Sequence, residues 1–302
     1  MSGASAGRGV AAAITAFGLW GIFPLYLHAL SGVPALQVIA HRIVWSCLLL
    51  LGWLTWRGEL ARVVVALRTP AVLARLALTA LLISANWLVY VWSVAHGHIV
   101  DASLGYYINP LVNVLLGVLV LHERLNGAQW TAVTLAALAV GYLALLAGQP
   151  PWISGILAMS FSLYGLVRKV VSVDALPGLT VETLLLAPLA AGYLLWCQAA
   201  GSGAFGRDGP GITALLIGSG PVTAIPLFLF AYGARALRFS TIGVLQYIAP
   251  TLQLLCGVLI FHESFAPARA AGFVLLWGAL LIYAGDGLWR ARAVPRAPRA
   301  VA

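Results

Sequence analysis

His41 and Arg42 stand together inside one long apolar run of the chain, and Glu182 stands inside another. An ionisable side chain at membrane depth is costly to place, so each of these marks a path for a solute, an ion or a proton by default. Arg42 can orient an anionic group, with His41 as its neighbour, and Glu182 is the candidate for proton coupling. The two charges have opposite signs, and the sequence leaves open whether they pair or face a cavity separately. The competing reading is that each caps a neighbouring helix through backbone groups. A second set joins apolar bodies to single polar tips: Trp20, Asn86, Trp87, Tyr107, Asn109, Tyr164, Gln246 and Tyr247, with Tyr90, Tyr106 and Asn113 nearby in the chain. Such side chains suit the lining of a cavity for a modest-sized amphipathic solute. Pro110 and Pro250 each end a Tyr-Ile-x-Pro segment. A mid-helix proline removes one backbone hydrogen bond and kinks the helix, which suits a gate.

The elements that must carry these residues are set by the solvent. Of 302 residues, 62% are hydrophobic and only 8% charged, with a mean hydropathy of +0.99. Soluble domains are about 25% charged, so most of this chain faces lipid. Apolar stretches predict ten transmembrane helices, at 10–30, 35–55, 72–95, 102–121, 128–147, 152–170, 179–199, 211–232, 240–261 and 268–288. The runs are continuously apolar and far longer than the alternating segments of a membrane barrel, so the expected class is an all-α integral membrane protein. The first span leads directly into a second and is read as an uncleaved helix. Cys47, Cys197 and Cys256 lie inside apolar runs and read as packing residues.

With the N-terminus placed inside, fourteen of the seventeen basic residues fall on the cytoplasmic side, Arg207 and Arg269 fall outside, and Arg42 lies within a span. That asymmetry is the positive-inside signature. It predicts cytoplasmic N- and C-termini, with residues 289–302 as a basic tail. The net charge of +9 is thereby a topology signal. The basic residues form no dense patch with interleaved aromatics, so nucleic acid is not an expected partner.

Shifting the chain by 140 residues lays Tyr107–Glu123 on Tyr247–Glu263 with nine identities in seventeen positions, among them Pro, His, Glu and Tyr. More faintly, Trp20-Gly21 answers to Tyr164-Gly165, and the spans holding Arg42 and Glu182 occupy matching places. Five spans per copy make this an inverted repeat, 9–147 and 152–288, a pattern of secondary transporters. Glu123 and Glu263, each following a histidine at a span end, are read as interfacial residues or as closures of a gate. The sequence holds no metalloprotease, nucleophile-elbow or phosphate-loop motif, so no catalytic residue, metal site or cofactor is assigned. His96-Gly97-His98 offers two ligands only and is discounted as a metal site.

Several segments together resemble the EamA family of the drug/metabolite transporter superfamily, from about Gly9 to Asp286. They are Gly18-Leu-Trp-Gly-Ile-Phe-Pro24, His41-Arg-Ile-Val-Trp-Ser46, Asn86-Trp87, Ala102-Ser-Leu-Gly-Tyr-Tyr-Ile-Asn-Pro-Leu-Val-Asn113, Tyr164-Gly-Leu-Val-Arg-Lys169, Glu182-Thr183 and Gln246-Tyr-Ile-x-Pro-Thr251. The chain departs from the family at Leu27-His28 and Ala249, where polar or glycine residues are common. The resemblance implies ten helices in two repeats, a central cavity between the halves and residence in a bacterial-type plasma (inner) membrane with both termini inside. It agrees with the residues on a permease moving a small solute, and with no phosphate loop in the sequence the expected energy source is an ion gradient, with protons as the candidate coupling ion. A passive channel or facilitator remains the alternative, and a membrane-embedded enzyme is the weaker rival.

Overall fold

A computed structural model describes residues 3–95, 99–147, 152–260 and 267–293. The described residues form helices and no strand. In chain order they are α1 (Gly3–Ala29), α2 (Ala35–Trp56), α3 (Leu60–Arg68), α4 (Pro70–Ala95), α5 (Ile99–Leu119), α6 (Gly127–Ala147), α7 (Trp152–Val170), α8 (Ala175–Ala199), α9 (Pro210–Ala236), α10 (Phe239–Leu245), α11 (Ile248–Leu255) and α12 (Pro267–Ala293). A π-helical turn, Cys256–Ile260, continues α11. Eight stretches are long and apolar enough to cross a membrane, with α10, α11 and the π turn acting as one of them. The described apolar stretches of α5 and α12 are shorter, Gly105–Leu119 and Ala270–Tyr283.

Three features differ from the sequence expectation. The basic connection after α2 folds as the amphipathic α3, which buries Val63 and Ala66 in a cluster with Leu54, Leu76 and Val181. Its polar face carries Arg62, 3.2 Å from Glu59 and 3.6 Å from Asp174. At the other end of the chain, α12 runs on to Ala293, so the first residues assigned to the basic tail are helical. The ninth span is broken at Gln246–Tyr247, whereas α5 passes through Pro110 unbroken. Pro250 has no N–H for the Gln246 carbonyl, which accepts from the Ala249 N–H at 3.2 Å instead.

Packing is interleaved between the halves of the chain. α1 packs on α9 and α11, α2 on α8 and α9, α4 and α5 on α7, and α6 on α12. Lipid supplies no hydrophobic drive between helices, so association depends on close van der Waals fit and small residues. Ala13 and Ala16 of α1 are buried beside Ala234 of α9, and Ala132, Ala136 and Ala139 of α6 beside Ala279 of α12. Kinks are latched by side chains from the other half. Pro24 leaves the Trp20 carbonyl without its helical donor, and Gln253 Nε2 donates to it at 3.0 Å. Cys47, Cys197 and Cys256 are buried and unpaired.

Candidate functional site

Arg42 and Glu182 each lie seven residues into their helices, α2 and α8, and they do not pair. Arg42 donates from Nε to Thr223 Oγ1 on α9 at 2.8 Å. Its guanidinium lies 4.9 Å from the ring centre of Phe23 on α1 and 4.7 Å from that of Trp87 on α4. Tyr26, Tyr90 and Tyr106 stand close enough to feel its charge. Tyr26 stacks on Phe23 at 5.7 Å and Tyr90 meets Tyr106 edge-on at 5.8 Å. Thr223 is buried and the other side chains are half-buried, so α1, α2, α4, α5 and α9 bring a surround of mainly aromatic side chains, the Arg42 chamber, to one cation.

Glu182 is enclosed. Thr79 Oγ1 on α4 donates to Oε1 at 2.6 Å, the Tyr164 hydroxyl on α7 donates to Oε2 at 3.4 Å, and Arg168 Nη1 on α7 approaches Oε1 at 3.6 Å. Arg168 is 0% exposed and Glu182 2%. The guanidinium also donates from Nη2 to the Ala175 carbonyl at 2.8 Å. It lies against Gly178, where an added Cβ would sit 2.1 Å from Nη1. Between the two charges is a small cavity of about 10 Å³, lined by Trp87 and Thr223 toward Arg42 and by Tyr164, Glu182 and Thr183 at its other end. That is space for about one water.

The other expected lining residues are spread across the helix contacts. Trp20 packs against Phe17, Phe161 and Phe230 at 5.8, 5.6 and 5.7 Å. His41 stacks on Phe205 at 5.3 Å and accepts from Trp45 Nε1 at Nδ1, so its ring is turned from the chamber. Asn86 donates to the Leu157 carbonyl and to Ser160 Oγ, both at 3.0 Å, and thereby ties α4 to α7. Tyr107 donates to the Pro250 carbonyl at 3.2 Å, linking the two Tyr-Ile-x-Pro segments directly. Gln246 accepts from Asn113 at 2.6 Å. Asn109 and Tyr247 are buried, and the Asn109 amide and Tyr247 hydroxyl have no hydrogen-bond partner among the described residues.

Sequence reasoning missed Arg168, which it placed among the loop charges, and the partners Thr79, Thr223, Phe23 and Tyr26. The available signal for Arg168 was its adjacency to Lys169. Neighbouring residues on a helix do not share a face, so where one face of the last turn packs inward, only one of the two lies on it. Lys169 in fact caps α9, donating to the Ala234 carbonyl at 3.0 Å and to the Leu237 carbonyl.

Glu123 ties the segment after α5 to the start of α10. Its carboxylate accepts from the Phe239 and Ser240 N–H groups at 2.6 and 3.0 Å and from Ser240 Oγ at 2.6 Å, capping α10. An anionic cap satisfies orphan donors and complements the helix dipole. Glu123→Ala is expected to destabilise the protein by about 1–2 kcal/mol, read as a lower thermal midpoint in detergent, whereas Glu123→Gln should retain part of the cap. His262, Glu263 and the His96–His98 loop lie outside the described residues.

An EamA-like transporter family model matches residues 7–145. RarD of Streptomyces exfoliatus is 47% identical, over 92% of this chain and 88% of that protein. A Vibrio cholerae protein named an uncharacterized transporter is 44% identical over 96% of each chain. A solved crystal structure superposes with a TM-score of 0.69 at 20% identity, covering 91% of this chain and 96% of the other, and so shares the fold. Helices fit to span a bilayer and identity along nearly the whole length place this chain in the EamA-like transporter family, among the RarD proteins.

Proposed function

We propose that the chain is a ten-span secondary carrier of small amphipathic solutes, made of two inverted five-helix repeats, 9–147 and 152–288, that expose one site alternately to the two sides. The observation that carries this reading is the exchange of partners between the halves. In one half a charge on the second span, Arg42, is held by a threonine on the third span of the other half, Thr223; in the second half Glu182 is held by Thr79 in the same way. Helix pairings repeat likewise: α1 on α9 answers to α7 on α4, and α5 on α7 answers to α11 on α1. A two-fold axis in the membrane plane relates such pairings, and a carrier so built presents similar faces to both sides.

The chamber around Arg42 is the solute site in this reading, and Glu182 is the proton-coupling group. Arg168 neutralises the carboxylate when it is ionised, and its 3.6 Å approach leaves room for rearrangement on protonation. Without Arg168 and Lys169, twelve basic residues still fall on one side against Arg207 and Arg269 on the other. The positive-inside bias therefore still favours cytoplasmic termini in the inner membrane. In proteoliposomes screened with drugs, amino acids and small metabolites, Glu182→Gln is expected to abolish gradient-driven accumulation while exchange between equal pools persists. Accumulation that survives the substitution, or loss of both activities in a folded protein, removes the coupling role. Solute flux in the unaltered protein without trans-stimulation would identify a channel.

A further inference from the structure

We infer that the Arg42 chamber takes a monovalent carboxylate on an apolar, flat body, and that the solute's carboxylate occupies the place that a built-in counter-ion occupies at the other charge. The repeat itself makes the case. Tyr164-Gly165 corresponds to Trp20-Gly21, and four residues after Tyr164 stands Arg168, the counter-ion of Glu182. Four residues after Trp20 stands Pro24, preceded by Phe23, whose ring lies against the Arg42 guanidinium. One charge thus has a partner from its own half, and the other has a proline at the matching place and meets the ring of the residue before it.

Arg42 has no carboxylate within ion-pair distance among the described residues, and Nε is its one hydrogen-bonded nitrogen. Phe23 and Trp87 stabilise the positive charge, and neither neutralises it. Leaving a guanidinium unpaired inside a membrane protein is expensive, and a ligand that pairs with it recovers that cost on binding. The remaining Nη groups form a fork that matches a carboxylate bidentately. Valence follows from the neighbours: the one other basic group on this stretch of α2, His41, accepts a hydrogen bond at Nδ1. The half-buried rings of Trp87, Tyr90 and Tyr106 supply a surface for a flat apolar body.

This inference deepens the carrier reading and can fail separately from it. The purified full chain in detergent is titrated with 2-naphthylacetate, 2-naphthalenesulfonate and the neutral 2-naphthylacetamide. Both anions are expected to bind at least about tenfold more tightly than the amide, a preference that Arg42→Gln erases and Arg42→Lys reduces. Equal affinities in the unaltered protein, or a preference that survives Arg42→Gln, would overturn the inference. If the glutamine variant does not fold, phenylglyoxal modification of the unaltered protein replaces it, mapped by mass spectrometry. Naphthylacetate should slow modification of Arg42 and naphthylacetamide should not; absence of protection overturns the inference. Anion preference without trans-stimulated exchange in proteoliposomes would leave the site standing and sink the carrier reading. Exchange of the neutral amide with no preference for the anions would do the reverse.

Discussion

Arg168→Leu is expected to destabilise the protein by about 3–5 kcal/mol, because it strands the Glu182 carboxylate in a place with no other cation. Both side chains are out of reach of bulk solvent, so screening is limited to the water-sized cavity beside Glu182. Thr79 and Tyr164 still donate to the carboxylate, but neutral donors do not replace a charge. The double variant Arg168→Leu/Glu182→Leu should recover most of the loss, since replacing a whole buried pair by apolar groups is often neutral. Thermal unfolding of the two single variants and the double variant in one detergent checks this. A double variant no more stable than the singles would mean that packing against Ala175 and Gly178, and not charge, sets the cost. Transport discriminates further, because the restored double variant should be folded and unable to couple.

Gly220→Val is expected to separate α2 from α9 and to cost about 1–3 kcal/mol as an overpacked contact. A Cβ at Gly220 would lie 2.7 Å from the Trp45 carbonyl carbon and 2.8 Å from its oxygen, and backbone cannot rotate aside as a side chain does. Ser46 Oγ donates to the Gly220 carbonyl at 3.0 Å across the same contact. Thr223 is one turn further along α9, so pushing the helices apart also draws it from Arg42. The functional loss should therefore exceed the stability loss: solute binding by a protein that remains folded and monodisperse should fall. Binding unchanged at a lowered thermal midpoint would show that the Arg42–Thr223 bond tolerates helix separation.

Arg42 and Glu182 are legible in the sequence because a charge inside an apolar run is conspicuous without knowledge of its neighbours. Their partners are not. Thr223 is 181 residues from Arg42 and Thr79 is 103 from Glu182, and nothing local in the chain encodes either pairing. Arg168 was misread for a related reason: a basic residue near a span end looks like an interfacial charge, and only the packing of α8 across it makes it interior. Amides inside spans are ambiguous in the same way. Asn86 turns to the Leu157 carbonyl and Ser160, and composition cannot tell such a tie from a cavity lining. Most helix bounds are readable to within a few residues because lipid imposes length and apolarity directly, but α1 begins seven residues before the expected span and α3 reads in the sequence as a connection. The break at Gln246–Tyr247 was readable only as a proline, since the matching Pro110 leaves α5 continuous.

The interleaving of the halves bears on how the chain is made. α1 is synthesised roughly 200 residues before its main partner α9, a delay of about 10–40 s at roughly 5–20 residues per second. Over that interval its contact face, with Ala13, Ala16 and Phe17, meets lipid, which an apolar surface tolerates. Arg42 has a harder wait, since Thr223 arrives so much later on the ribosome. Arg168 and Glu182, by contrast, leave the ribosome almost together, so that pair can form as soon as α7 and α8 meet. The first half therefore crosses into the bilayer as an unfinished surface, and a gene cut between the halves would encode two pieces that each lack their principal contacts.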